Sequence, residues 1–228
     1  MHGWIILDKP LGLGSTQAVA AVKRNLRSAG FGKVKVGHGG TLDPLATGVL
    51  PIALGEATKL CGRMLDASKT YDFTICFGTE TSGLDAEGEV VATSDVRPTL
   101  EQVQQALAQF TGPIEQIPPA YSAIKIDGKR AYDLARAGEA VELKSRAVTI
   151  HSLLIKSGNA EKGDVTLTAH VSKGTYIRSL ARDLGELLEV GAYLKSLCRT
   201  RIGEYWLSEA KELPQLIDEI KLRQHENL

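Results

Sequence analysis

The sequence predicts an α+β fold built on a mixed, largely antiparallel sheet with flanking helices. Residues 146–155 and 164–171 alternate apolar and polar side chains, and the turn-like segment Ser157-Gly158-Asn159 lies between them, which indicates an antiparallel pair. The other strand-like and helix-like segments lack the regular strand–helix–strand rhythm of a parallel sheet. The 228 residues are 43% hydrophobic and 24% charged, a globular composition that disfavours disorder, collagen and coiled coil.

In the first 77 residues, hydrophobic periodicity predicts strands interspersed with two helices. Ser15 or Thr16 is suited to cap the first helix, whose apolar residues share one face and which ends at Gly30. A second helix is expected between two buried strands, at residues 56–65. The expected strands are residues 4–8, 33–36, 49–54 and 70–77.

Beyond residue 77 the pattern stays mixed. Thr99 is suited to start a helix, and Thr111-Gly112-Pro113 is suited to stop it. The segment 116–138 is irregular before a helical stretch, because Pro118-Pro119 and Asp127-Gly128 interrupt it. The other expected elements are a strand at 89–93, helices at 131–137, 175–188 and 213–222, and a strand near 201–207.

The net charge is zero, with 27 Lys and Arg against 27 Asp and Glu, but the charge is unevenly distributed. Residues 1–50 carry six cations against two carboxylates, and residues 171–201 carry six against three. Residues 80–101 carry six carboxylates against one cation. The two basic segments predict one anion-binding face if they converge, although solvated surface cations explain them equally well.

The cysteines and the N-terminus indicate a cytoplasmic protein. The three cysteines are odd in number and form no CxxC or Cys/His pattern, so neither a disulfide framework nor a zinc site is expected. The first apolar stretch, residues 4–7, is too short for a signal peptide or a membrane span. We therefore expect a soluble protein with no membrane partner.

The most unusual segment is the glycine-rich stretch from Val36 to Gly48. Its glycines allow close backbone approach to a ligand, or turns that need a positive φ. Asp43 is a candidate catalytic carboxylate, but Asp followed by Pro44 is also typical of a helix start, and these residues alone favour that explanation. His38 is either a turn residue or a residue that stacks on a nucleobase or makes a polar contact.

Two further segments carry candidate site residues. Tyr71 lies on a predicted strand, where a core position is the default and stacking on a nucleobase is the alternative. Arg178 falls in the first turn of a predicted helix, where a cation opposes the helix dipole. That placement indicates a carboxylate or phosphate partner, with an ordinary surface arginine as the alternative.

The sequence gives no signature of a bound metal or cofactor, and we expect none. No Gly-Lys-Ser/Thr follows the glycine-rich stretch, so it is not a phosphate-binding Walker loop. Residues 85–88 lack the ligand series of a calcium loop, and no GxSxG elbow is present.

Several motifs together resemble the TruB family of pseudouridine synthases, bacterial enzymes that modify the T-loop uridine of tRNA. The resemblance runs from about Gly3 to about Leu207 and keeps the order of the family's motifs. Residues 118–123, with Lys125, Gly128 and Tyr132, resemble the family's inserted RNA-gripping thumb. The other matching segments are the Lys-Pro motif at 3–10, the catalytic motif at 37–51, the tyrosine motif at 69–71, and the arginine motif at 176–178 with 183–186.

The resemblance implies the catalytic residues. Asp43 corresponds to the family's catalytic aspartate, and Arg178 corresponds to the arginine that pairs with it. An adjacent arginine would keep a carboxylate ionised in a dry pocket by lowering its pKa.

The resemblance also implies the substrate-binding residues. Tyr71 would stack on the flipped uracil, and His38 would contact or displace RNA bases near the target. Tyr176 and Leu197 would line the uridine pocket, and Lys9 belongs to the motif that supports the site.

The implied activity is isomerisation of the T-loop uridine, position 55 of tRNA, to pseudouridine after the base has been flipped out. The implied partner is the T-arm stem-loop of tRNA, bound by a monomer. We expect residues 1–228 to form the catalytic domain, with the thumb at about 113–145 and without the C-terminal PUA domain of full-length relatives. The alternatives are a non-catalytic tRNA-binding or folding module and a metabolic enzyme whose glycine loop holds a nucleotide.

Overall fold

A computed structural model describes residues 1–122, 124–126, 128–138, 141–159 and 162–226. Its α-helices are α1 (Ser15–Ser28), α2 (Cys61–Asp66), α3 (Leu100–Leu107), α4 (Ala131–Arg136), α5 (Ile177–Leu187) and α6 (Leu213–Glu226). Its strands are β1 (Gly3–Lys9), β2 (Val36–His38), β3 (Ala46–Leu54), β4 (Lys69–Phe77), β5 (Thr79–Thr81), β6 (Val90–Thr93), β7 (Gly112–Gln116), β8 (Lys125–Ile126), β9 (Lys129–Arg130), β10 (Arg146–Asn159), β11 (Asp164–Val171), β12 (Ala192–Ile202), β13 (Tyr205–Trp206) and β14 (Lys211–Glu212).

The chain divides into two compact units, and the first comprises residues 1–71 and 197–228. Its strands follow the order β14-β1-β3-β12, with β2 paired to β3 and β13 paired to β12. Strand β3 is buried along nearly its whole length, because β1 pairs with it antiparallel and β12 pairs with it parallel. The apolar face of α1, which includes Ala18, Val22 and Leu26, is buried as well.

The second unit comprises residues 72–196. Its strands follow the order β4-β11-β10-β7, and β10 pairs antiparallel with both β11 and β7. Two small antiparallel sheets, β5–β6 and β8–β9, accompany it. Strand β4 buries every second residue, as expected for a strand with one face on a core.

The predicted fold class is confirmed: helices accompany a mixed sheet in which antiparallel pairs dominate. The antiparallel pair β10–β11 and the Thr99 cap, which accepts a hydrogen bond from the Gln102 N–H, are also as predicted. The predicted cap of the first helix was wrong. Gly14 is the N-cap and Ser15 is the first helical residue.

Two predicted strands were misplaced, and local backbone geometry explains the second. Residues 33–36 were expected to form a strand, but pairing with β3 begins only at Val36 and covers three residues. The strand expected near 201–207 is instead β12 followed by a hairpin into β13. Gly203 has a φ of +57°, which fits a tight hairpin turn between these strands and interrupts the predicted run.

Candidate active site

Asp43 lies in a tight turn immediately before β3. The backbone N–H of Ala46 donates to the carbonyl oxygen of Asp43 at 3.0 Å and closes the turn. Asp at the first position and Pro at the second are favoured in such turns as well as at helix starts. The predicted helix start was wrong, because the strand β3 begins at Ala46. The turn holds the half-buried Asp43 at the beginning of the central strand of its unit.

Ser15 connects α1 to the residue that precedes Asp43. Its buried hydroxyl donates to the carbonyl oxygen of Leu42 at 3.0 Å and accepts from the Leu42 N–H at 2.8 Å. A pair of hydrogen bonds to one peptide residue restrains both its position and its orientation. Ser15 therefore anchors the N-terminal side of the Asp43 turn, a role that its sequence position as a candidate helix cap concealed.

Lys9 restrains the other side of the same turn. Its side chain is fully buried, and Nζ donates to the carbonyl oxygens of Leu13 at 2.5 Å, Pro10 at 3.0 Å and Pro44 at 3.4 Å. The Gly12 N–H also donates to Pro44 at 2.8 Å. Because an ammonium group can be buried only when it is well hydrogen-bonded, these contacts fix residues 10–14 against the Asp43 turn.

Arg199 is a site residue that the sequence analysis missed. It is 1% exposed, and its guanidinium donates from Nε to Val49 at 2.8 Å and from Nη2 to Gly40 at 3.1 Å. It thereby connects the glycine-rich stretch to β3. The sequence offered only a weak signal for Arg199, its place beside Cys198. The predicted strand began two residues after Arg199, so the residue was not expected to be buried in a sheet.

The burial of these cations corrects the expected basic face. Lys9, Arg178 and Arg199 were counted in the two basic segments, yet each is buried. In residues 1–50 the cations that remain exposed are those of α1 and of the segment before β2, namely Lys23, Arg24, Arg27, Lys33 and Lys35. Some of the cations in both segments therefore make hydrogen bonds inside the protein and are not exposed to bind an anion.

His38 lies on β2 opposite Ile52 and is half-buried. Burial lowers the pKa of its imidazole, and the nearby positive charge of Arg199 lowers it further. A neutral imidazole at pH 7 can contact a nucleobase through its ring or a single N–H without carrying charge into the site.

Leu197 and Tyr71 lie in the same unit as Asp43. Leu197 on β12 stands opposite Ala46, the residue that closes the Asp43 turn, and Leu197 is half-buried. Tyr71 is 8% exposed and shares the buried face of β4 with Phe73 and Ile75. The structure thus brings Leu197 to the Asp43 turn, and it places Tyr71 at the slightly exposed end of an apolar row.

Arg178 lies in the second unit, in the first turn of α5. Its Nη2 donates to the carbonyl oxygen of Tyr121 at 2.7 Å, Nη1 donates to that of Gly83 at 3.3 Å, and Nη1 lies 3.6 Å from Oδ2 of Asp85. The position of Arg178 in the helix predicts a carboxylate or phosphate partner, and the structure confirms a carboxylate partner, Asp85. The predicted pairing with Asp43 stays a prediction.

Asp85 is the second site residue that the sequence analysis missed. It is buried, its carbonyl oxygen accepts from the Thr81 hydroxyl at 2.7 Å, and its Oδ1 accepts from the Glu87 N–H at 3.0 Å. These bonds hold the carboxylate beside Arg178. The short acidic turn had been considered only as a calcium loop, and nothing local indicated a distant arginine.

Tyr176 is the N-cap residue of α5, next to Arg178 in the chain. The buried Gln116 holds its backbone twice: Oε1 accepts from the Tyr176 N–H at 2.8 Å, and Nε2 donates to the Tyr176 carbonyl at 3.1 Å. The Arg146 guanidinium lies 5.5 Å from the centre of the tyrosine ring. Gln116 is therefore a positioning residue for the start of α5.

Neither a metal cluster nor a membrane span is found in the part of the chain that the structure describes. There, no three His, Cys, Asp or Glu side chains are grouped as metal ligands. No helix in the same residues has the length and apolar character needed to cross a bilayer.

Comparisons with known proteins agree with this fold. The chain superposes on the crystal structure of a Cbf5-Nop10-Gar1 complex with a TM-score of 0.76 and 31% identity, covering 99% of this chain and 56% of that one. It superposes on an H/ACA RNP bound to a substrate RNA containing 2′-deoxyuridine with a TM-score of 0.72 and 29% identity, at the same two coverages.

Curated relatives named tRNA pseudouridine synthase B align along nearly the whole chain. The protein from Novosphingobium aromaticivorans is 65% identical over 219 residues, which cover 95% of this chain and 72% of that protein. The protein from Zymomonas mobilis is 56% identical over 218 residues, which cover 96% and 71%. The fold and these relatives define a pseudouridine synthase.

A family model described as TruB family pseudouridylate synthase (N terminal domain) matches residues 27–177. The chain belongs to the TruB family. The resemblance expected from the sequence motifs is thereby confirmed.

Proposed function

We propose that this chain converts the T-loop uridine of tRNA, position 55, to pseudouridine, with Asp43 as the essential carboxylate. Membership of the TruB family makes the chain an isomerase that forms pseudouridine in tRNA. The observation that carries the finer proposal is the Asp43 turn, which Ser15 and Lys9 restrain on either side. Such restraint is what a reacting group needs, because catalysis depends on its fixed position.

The reaction breaks two bonds, C1′–N1 and C5–H, and forms two, C1′–C5 and N1–H. The C1′–N1 bond of uridine breaks, the detached uracil turns, and C5 bonds to C1′, while the proton lost from C5 is balanced by one gained at N1. Atoms and charge balance without an external donor. Asp43 either attacks C1′ as a nucleophile or acts as a base toward the sugar, and both routes need it ionised.

The other predicted site residues are assigned to substrate binding and positioning. Arg178 pairs with the Asp43 carboxylate and keeps it ionised. Tyr71 stacks on the flipped uracil, Tyr176 and Leu197 line the pocket around it, and His38 contacts neighbouring bases. Lys9 supports the site through the carbonyl contacts described above.

Residues 1–228 form the catalytic domain in this proposal, and the segment from about 113 to 145 grips the T arm of tRNA as a thumb. Within that segment the structure describes β7, β8, β9 and α4, whereas residues 123, 127, 139 and 140 lie outside the described residues. The chain acts as a monomer in this proposal. It acts in the cytoplasm, and the cysteines, which show no disulfide pattern, support that location.

The test is pseudouridine mapping of an unmodified T-arm hairpin incubated with the wild-type chain, with D43N and with a control. Asp95 is an exposed aspartate of the second unit, so D95N is the matched control. We expect product at the T-loop uridine with the wild type and with D95N, and none with D43N, while all three bind the hairpin.

Two outcomes would contradict the proposal. Product formed by D43N would remove the role of the carboxylate. Binding of the hairpin by the wild type without any product would favour the non-catalytic tRNA-binding module.

A further inference from the structure

Leu11 is an apolar side chain displayed beside the Asp43 turn. It is 68% exposed and lies at the tip of the loop between β1 and α1, with exposed Pro10 and Gly12 on either side. A single exposed leucine needs no explanation by itself, since isolated apolar residues are common on protein surfaces. Its surroundings make this one unusual.

The loop that carries Leu11 is held rigidly from both ends. The fully buried Lys9 donates to the carbonyl oxygens of Pro10 and Leu13, the residues on either side of Leu11 and Gly12. The network therefore fixes the backbone from which the leucine side chain projects.

The same network fixes Leu11 relative to the catalytic carboxylate. The Gly12 N–H donates to the Pro44 carbonyl at 2.8 Å, and Lys9 Nζ donates to that oxygen as well. Leu11 precedes Gly12 and Asp43 precedes Pro44, so this one backbone hydrogen bond links the neighbours of Leu11 and Asp43. Gly12 has a φ of +80° and no heavy atom within 4 Å of its Cβ position, so the space beside the tip is open.

We propose that Leu11 is an RNA-binding residue that packs against the face of a nucleobase beside the flipped uridine and keeps the target from restacking. The inference rests on the proposed function, because it requires a uridine extruded from its stack at Asp43. Rigid apolar side chains that insert between base steps are a general device for holding nucleic acid unstacked. Leu11 has the apolar surface, the exposure and the fixed backbone position for this role.

The test uses a T-arm hairpin that carries 2-aminopurine at the base that stacks on the target uridine, whose fluorescence rises on unstacking. In an Asp43→Asn background, where chemistry is blocked, we expect Leu11→Ala to lose most of the fluorescence rise. Leu11→Met restores the apolar contact and should recover it. With Asp43 intact, Leu11→Ala should lower the rate constant for pseudouridine formation about tenfold, equivalent to about 1.4 kcal/mol.

Leu222→Ala is the matched control, because Leu222 is 64% exposed in the same unit and lies on α6. It should leave both the fluorescence and the rate unchanged. Equal rates and equal fluorescence for Leu11→Ala and the wild type would overturn the inference while leaving the proposed function intact. A wild-type chain that makes no pseudouridine would instead be a failure of the proposed function.

Discussion

The two units of the molecule use buried cations in different ways. In the first unit, Lys9 and Arg199 donate to backbone carbonyl oxygens and thereby shape the loops around Asp43. In the second unit, Arg178 contacts two carbonyl oxygens and also the carboxylate of Asp85. The first arrangement fixes a backbone, whereas the second orients a charged side chain. Loss of a buried cation in the first unit should therefore mainly reduce stability, and loss of the charge that faces Arg178 in the second should mainly reduce activity.

The largest expected effect on stability comes from Arg199→Met. The apolar side chain would leave the carbonyl oxygens of Gly40 and Val49 buried without their donor, and each unsatisfied buried group costs about 1–3 kcal/mol. We expect the free energy of unfolding in urea to fall by about 3 kcal/mol in total. Arg27→Met, at an exposed position of α1, should change it by less than about 0.5 kcal/mol.

An unchanged urea midpoint for Arg199→Met would contradict the stabilising role assigned to the buried cations of the first unit. It would mean that solvent or neighbouring groups replace the guanidinium without cost.

The next effect in size is expected from Asp85→Asn and concerns activity. The amide keeps the shape of the side chain but loses the charge that faces Arg178, and hydrogen bonds to charged groups contribute about 1.5–3 kcal/mol. If Arg178 orients Asp43, the kcat for pseudouridine formation should fall by about tenfold to a hundredfold, which corresponds to about 1.4–2.7 kcal/mol. Hairpin binding should persist.

The control for this prediction is Asp95→Asn, which neutralises an exposed carboxylate of the same unit. A loss of folding by Asp85→Asn with normal kcat in the remaining folded fraction would show that Asp85 acts on stability. The contrast between the two units would then disappear.

Gly48→Ala tests how tightly β12 packs on β3. Gly48 has a φ of +98°, and a Cβ there would lie 2.3 Å from the Arg199 carbonyl oxygen, which is backbone and cannot rotate away. We expect a loss of about 2 kcal/mol, because left-handed strain and a steric clash act together. Gly62→Ala is the matched control, since its Cβ would meet no atom within 4 Å and alanine favours the helix α2 by about 0.5–1 kcal/mol. Urea unfolding of both variants measures the difference.

Local patterns sufficed for the α+β class and for the antiparallel pair β10–β11, because alternation and turn residues act over short distances. The TruB motifs predicted the family, which is confirmed, and they predicted Asp43 and Arg178 as catalytic residues, which stays a prediction. Arg199 and Asp85 could not be found this way, because their partners lie far along the chain: Arg199 bonds Val49, 150 residues away, and Asp85 meets Arg178. Charge alone does not reveal whether an arginine is exposed or buried.

The smallest effect is expected from the pH dependence that His38 confers on the first unit. Burial and the charge of Arg199 lower the pKa of His38 below 6.5 in the folded protein. The unfolded chain therefore takes up the proton first as the pH falls, and linkage makes the contribution to stability decline below about pH 6.5. The contribution is fully present above that pH. Asp8, whose pKa is raised by burial, has the opposite sign: its contribution is lost as the pH rises above its ordinary pKa of 3.8.

Urea midpoints of the wild type and His38→Gln between pH 5 and pH 8 isolate the histidine, because the Asp8 contribution is common to both. The wild-type midpoint should fall relative to that of His38→Gln as the pH drops below 6.5, and the difference should be constant from pH 7 to pH 8. If the difference between the two midpoints did not vary with pH, then neither burial nor the Arg199 charge would be lowering the pKa of His38. The cation would then shape only the backbone, and the contrast between the two units would be sharper still.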